Sequence, residues 1–236
     1  MSKFTTLFID LDGTLLPSKH FYHKPQLRCA EIIIDAIGPN CIDPGNLITR
    51  AYDISKEIMR EDLCKNHDHF QLSFVKLYQQ LAVSKGDSIN VNVCERLYHE
   101  ASEAYRHDDY QLYPDVFNTL MDIKQRKVLV TLGNKEIQTK KIDATGIHRW
   151  LDEIEIVGAK TESTYQKLLD KYQVSHEEVA MIGDNFKLDI QPSMNIGMWA
   201  FHVTDNVHDA NKLFLFLKRS RYQAIPNFSA VEQYLK

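Results

Sequence analysis

From residue 116 to residue 203 short apolar runs alternate with stretches of helical periodicity, and no other feature of the sequence constrains the fold as tightly. Lys127–Leu132 (KVLVTL), Glu153–Val157 (EIEIV), Glu178–Ile182 (EVAMI) and Met198–Val203 (MWAFHV) are short, rich in apolar and β-branched residues, and bounded by turn residues. Each reads as a strand. Between and around them, residues 116–125, 135–145, 162–172 and 187–195 read as helices. Phe4–Ile9 supplies one more strand, which runs into Asp-Leu-Asp-Gly. Strands separated by single helices pair in parallel through right-handed crossovers, so the class is α/β with a parallel sheet.

The first strand is separated from the rest by a long segment of different character. Four amphipathic stretches, near residues 25–37, 46–63, 68–83 and 91–106, carry apolar residues at helical spacing, as in Leu72, Val75, Leu77 and Tyr78. Asp68 and Ser88 precede two of them as candidate N-caps. The chain therefore divides into a core, residues 1–16 and 113–236, and a helical insert, residues 17–112. The end of the core, Asn227–Lys236, reads as a last short helix. In open α/β sheets ligands bind at the carboxyl ends of the strands. An insert that leaves the core just after the first strand is thus expected to act as a lid.

Four groups of polar residues fall at those strand ends: Asp10 and Asp12 after the first strand, Thr131 in KVLVTL, Lys160 after the Glu153–Val157 strand, and Gly183-Asp184-Asn185 after EVAMI. Taken singly, each has a plainer explanation: a turn, a β-former, a solvated lysine. Together they describe one crevice with several carboxylates, a hydroxyl and an ammonium. Carboxylates crowded this way repel unless a cation or a proton intervenes. Oxygen-only ligation suits Mg²⁺, and the hydroxyl and the ammonium suit phosphate oxygens.

The segments FIDLDGTLL, VLVTLGNK and GAKTESTYQKLLDKYQVSHEEVAMIGDNFKLDIQPSMNIGMWAFHV resemble, in order, motifs I, II and III–IV of the haloacid dehalogenase superfamily. The resemblance covers roughly residues 1–16 and 113–205, and the insert is similar to the family's C1 caps in position and character. It implies a Rossmann-like parallel-sheet core with an inserted helical cap domain. It also implies a mechanism. Asp10 attacks phosphorus to give an aspartyl-phosphate. Asp12 protonates the leaving oxygen and then deprotonates the hydrolytic water. Asp10, the backbone carbonyl of Asp12 and Asp184 ligate Mg²⁺, while Asp189 and Asn185 support the site. Thr131 and Lys160 hold the phosphoryl group. Members that cleave carbon–halogen bonds usually lack the second aspartate, and phosphonate-cleaving members carry a small residue there. Asp12 therefore points to phosphate esters. The sequence departs from the family pattern twice. Thr131-Leu132-Gly133-Asn134 stands where Thr/Ser-Asn-Gly is usual, and Thr161 follows Lys160 where proline is usual. Lys140, Lys141 and Lys167 are the alternative cations.

The expected activity is hydrolysis of a small phosphomonoester. The alternatives are a phosphomutase of the same superfamily and a non-catalytic protein that binds a phosphorylated ligand. A net charge of −4 over 236 residues argues against a partner that is a nucleic-acid polymer. No run approaches the roughly 18 apolar residues of a membrane span. The start of the chain, MSKFTTLFIDLDGTLL, places carboxylates where a signal peptide has none. The expected location is cytoplasmic, as a monomer or small homo-oligomer. Cys29, Cys41, Cys64 and Cys94 contain no C-x-x-C pair and read as reduced thiols. His20, His23, His67 and His69 read as solvent-facing residues, although His20, Lys19 and Lys24 follow the first motif closely enough to contact a substrate.

Overall fold

The computed structural model describes residues 3–38, 43–61, 68–106, 109–216 and 221–235. It divides into two compact units, residues 18–108 and residues 1–17 with 109–236.

The larger unit is built on strands β1 (Thr6–Ile9), β2 (Arg126–Leu132), β3 (Glu153–Val157), β4 (Val179–Gly183), β5 (Trp199–Val203) and β6 (Tyr222–Ile225). All six pair in parallel, in the order β3-β2-β1-β4-β5-β6. This is the Rossmann-like order. The chain leaves β1 to build one half of the sheet, returns to β4 on the other side of β1, and builds outward again. The point where the direction reverses lies between β1 and β4. β1 and β4 are buried along their whole length, as expected of central strands covered on both faces. Phe8, Val128, Val130 and Met181 from the sheet pack against Tyr165, Leu168, Leu169 and Tyr172, and this cluster fixes where the strand ends lie.

β6 was not expected from the sequence. It is a four-residue edge strand ended by Pro226, too short for a periodicity to be read. The end of the chain is a 3₁₀ helix, Phe228–Tyr234, capped by Asn227 through the Ala230 N–H.

The smaller unit contains helices α1 (Lys19–Ile37), α2 (Pro44–Glu61), α3 (His69–Lys85) and α4 (Val91–Ser102). Its core contains Ile33, Leu47, Phe70, Phe74, Leu77 and Leu97. α1 starts at Lys19, six residues before the expected Pro25, which lies inside the helix. Ser88 is not a cap. Asn90 takes that place at α4 and accepts from the Asn92 N–H, and Asp68 precedes α3 without a side-chain capping bond. His69, half-buried, meets the Ser55 hydroxyl at 2.8 Å and so joins two helices. Cys29 and Cys94 are free thiols. Cys41, Cys64, His67 and the side chain of His20 lie outside the described residues.

The helices of the larger unit are α5 (Val116–Asp122), α6 (Lys135–Thr145), α7 (Glu162–Tyr172), α8 (Gln191–Asn195) and α9 (Val207–Phe216). Both departures from the family motifs have a local explanation. Asn134 caps α6, accepting from the Glu136 and Ile137 N–H groups. Thr161 caps α7, accepting from the Thr164 N–H at 3.2 Å. Each residue serves a helix start that an Asn two positions earlier, or a proline, would not cap in this way.

Candidate active site

The candidate site lies wholly in the larger unit. β1 delivers Asp10 to the sheet edge, where its N–H donates to Ile182 O on β4. The chain then turns back on itself, with the Leu15 and Leu16 N–H groups both donating to Leu11 O at 2.9 Å. Gly13 sits in this turn at φ +86°, and a Cβ there would lie 2.3 Å from Asp184 Oδ2. Only glycine permits that approach.

Asp10 is buried. It accepts from Lys160 Nζ at 2.5 Å and from the Thr14 hydroxyl at 3.2 Å. Lys160 also donates to Asp189 Oδ1 at 2.6 Å, and the other Asp189 oxygen accepts the Asn185 N–H at 3.0 Å. Asn185 accepts in turn from the Lys187 and Leu188 N–H groups, which forms the single π turn Phe186–Ile190 that carries Asp189 inward. Single carboxylate oxygens of Asp10, Asp184 and Asp189 lie within 4.8 Å of one another. One ammonium thus serves two carboxylates, with a third carboxylate beside them.

The electrostatics follow from that imbalance. Burial pushes Asp10 up to about 7; the Lys160 ammonium opposes the rise, and the Asp189 and Asp12 charges add to it. Burial alone would lower Lys160, but Asp10 and Asp189 outweigh it and hold the ammonium above its ordinary range. An all-oxygen donor set with surplus negative charge fits a hard divalent cation such as Mg²⁺ and offers nothing to a soft one.

Asp12 points to a different set of partners. Lys141 Nζ lies 2.8 Å from both of its carboxylate oxygens, and Gln138 Nε2 lies 2.8 Å from one of them. The same Gln138 nitrogen reaches the Thr131 hydroxyl oxygen at 2.6 Å and Leu132 O at 2.9 Å. The expected phosphate hydroxyl, Thr131, and the expected acid–base, Asp12, are therefore linked by one amide.

A family model, haloacid dehalogenase-like hydrolase, matches residues 4–194, which takes in the strands that carry Asp10, Thr131, Lys160 and Asp184. The chain belongs to the haloacid dehalogenase-like hydrolases. Two curated relatives align over nearly full length. The glyceraldehyde 3-phosphate phosphatase of Methanothermobacter thermautotrophicus is 23% identical over 87% of this chain and 88% of its own length. The human N-acylneuraminate-9-phosphatase is 24% identical over 85% of this chain and 82% of its own. Among solved structures, a haloacid dehalogenase-like family hydrolase from Xanthomonas campestris superposes with a TM-score of 0.75 at 20% identity, covering 99% of this chain and 92% of that one. No helix among the described residues is long and apolar enough to cross a membrane.

Within this haloacid dehalogenase-like hydrolase, the structure brings the expected Asp10, Lys160, Asp184 and Asp189 into one cluster, with Asn185 bonded to Asp189, and joins the expected Asp12 and Thr131 through Gln138. Three contacting residues, Thr14, Gln138 and His202, stand outside that expected set, and a fourth, Lys141, is in it only as an alternative cation. Thr14 follows Asp10 in motif I and binds it. Gln138 belongs to none of the motifs. Lys141 is expected from the sequence only as a substitute for Lys160, although the i, i+3 spacing of Gln138 and Lys141 puts both on one face of α6. His202 lies on β5 with Nε2 3.2 Å from Asp184 O and Nδ1 2.8 Å from the Tyr222 hydroxyl. A carbonyl can only accept, so Nε2 carries the proton and Nδ1 accepts from Tyr222. Burial lowers this imidazole, which favours that neutral form. The pairing depends on the unexpected β6.

Proposed function

We propose that this haloacid dehalogenase-like hydrolase is a Mg²⁺-dependent phosphatase of small phosphomonoesters that works through an aspartyl-phosphate on Asp10. One observation carries the reading. A buried carboxylate, Asp10, is held by an ammonium and a hydroxyl, and a second carboxylate two residues on, Asp12, is held by a different ammonium, Lys141. The two curated relatives named as phosphatases support the choice of ester.

Each residue has a distinct task. Asp10 attacks phosphorus in line, and the leaving oxygen departs with a proton from Asp12. Asp12 then takes a proton from the water that hydrolyses the acyl phosphate. Thr131 and Lys160 bind the equatorial phosphoryl oxygens, where most of the transition-state charge resides. Asp10, Asp184 and the Asp12 backbone carbonyl would hold Mg²⁺, with Asp189 and Asn185 setting Lys160 and the π turn. The ion supplies the positive charge that three carboxylates and a phosphate together require. The helical unit is assigned the choice among small phosphorylated metabolites, in a cytoplasmic protein.

Phosphate release from a panel of phosphomonoesters, with Mg²⁺ and with EDTA, tests the reading. Release is expected with the ion and is expected to stop with EDTA. A chain that releases no phosphate from any ester under either condition overturns it. Binding also has a readout apart from activity. At 100 times its dissociation constant Mg²⁺ should add about 2.7 kcal/mol to unfolding, seen as a higher Tm.

Gly13→Ala should damage the same cluster. The new methyl occupies the place of Asp184 Oδ2, at a φ that L side chains rarely adopt. The expected cost is about 1–3 kcal/mol of stability and a roughly 10- to 100-fold loss in Mg²⁺ affinity, read by calorimetry.

A further inference from the structure

We propose that Gln138 and Lys141, one turn apart on α6, are a positioning pair for the reaction, fixing the Asp12 carboxylate and the direction of the Thr131 hydroxyl. The inference rests on the phosphatase reading above and assigns work to two residues that the motifs leave out. Both side chains are buried, as is Thr131, so none of these contacts is a solvated surface pair.

Lys141 spans the two oxygens of Asp12 at 2.8 Å each, and such a two-point contact removes most of the rotational freedom of the carboxylate. Gln138 then fixes the remaining geometry. Its nitrogen only donates, so it donates to Asp12 Oδ2 and also to Thr131 Oγ1. Thr131 must therefore accept on that side, which leaves its own proton free for a phosphoryl oxygen. Without Gln138, nothing would stop Thr131 from turning its proton toward a backbone carbonyl. Gln138 also binds Leu132 O, so three acceptors share two N–H groups. Its own oxygen is buried and meets no donor among the described residues. A glutamine kept in that state, two-hundredths exposed, is placed for its nitrogen contacts rather than for its own satisfaction. An ordinary core residue at this position would be apolar. Asn134 sets the register: by capping α6 at its first turn it fixes where residues 138 and 141 face.

The test is a double-mutant cycle on kcat, with an activated aryl phosphate so that crippled variants still turn over. Lys141→Met and Gln138→Leu are each expected to lose about 10- to 100-fold in kcat with KM changed less than about threefold. In an Asp12→Asn background Lys141→Met is expected to add almost no further loss, because the residue through which it acts is already gone. Lys141→Arg should recover much of the lost rate. Mg²⁺ affinity, measured calorimetrically, should stay near that of the wild type in all of them, which also shows that the variants fold. Equal losses from Lys141→Met in the two backgrounds, or losses that appear only where Mg²⁺ binding and Tm also fall, would overturn the positioning role and leave the phosphatase intact. A wild-type protein that releases no phosphate overturns both.

Discussion

Asp10→Asn is expected to abolish turnover, lowering kcat by about 10⁴-fold or more, which corresponds to roughly 5.5 kcal/mol of transition-state stabilisation. The substitution keeps the shape of the side chain and removes the nucleophile. Its effect on folding should be small and of the opposite sign. Asp10 is buried beside Asp189 and within reach of the Asp12 charge, and removing one of these negative charges relieves the burial cost that pushes it up to about 7. Lys160 keeps Asp189 as a partner at 2.6 Å. A Tm equal to or above that of the wild type, measured beside the lost activity, separates loss of chemistry from loss of structure. Wild-type-like turnover in this variant would remove Asp10 from the mechanism.

Lys160→Met should cost about 10²- to 10³-fold in kcat, the usual range for removing one donor aimed at developing charge. Unlike Asp10→Asn, it should also destabilise the fold, by about 3–5 kcal/mol at neutral pH, because it leaves two buried carboxylates without their shared cation. Saturating Mg²⁺ should recover part of that stability by placing another positive charge among Asp10, Asp184 and Asp189. Denaturant unfolding with and without the ion measures both effects. A variant as stable as the wild type without Mg²⁺ would contradict the claim that Lys160 neutralises this cluster.

These expectations come from residues of unequal legibility. The alternation from residue 116 to 203 was readable because each central strand is a short apolar run between turns, and a doubly covered sheet leaves little room for other patterns. Asp10, Lys160 and Asp184 were readable because they sit where such strands end. β6 was not, because a four-residue edge strand before Pro226 carries no period. The start of α1 was misplaced because a proline inside a helix has the same appearance in sequence as a proline that begins one. Gln138 and Lys141 were passed over for another reason. Their contacts to Asp12 join α6 to the loop after β1, across more than a hundred residues of sequence, and no local pattern announces such a pair. His202 depends likewise on β5 and β6 lying side by side.

The most direct test of the account is to look for the phosphoryl group on Asp10. Enzyme turning over an activated aryl phosphate with Mg²⁺ is quenched in acid, digested, and its peptides weighed. The account predicts one phosphoryl group on the peptide that carries Asp10, absent in Asp10→Asn and formed fast enough to precede steady-state phosphate release. Steady phosphate release with no phosphoryl group on Asp10, or with the group on another residue, would contradict it.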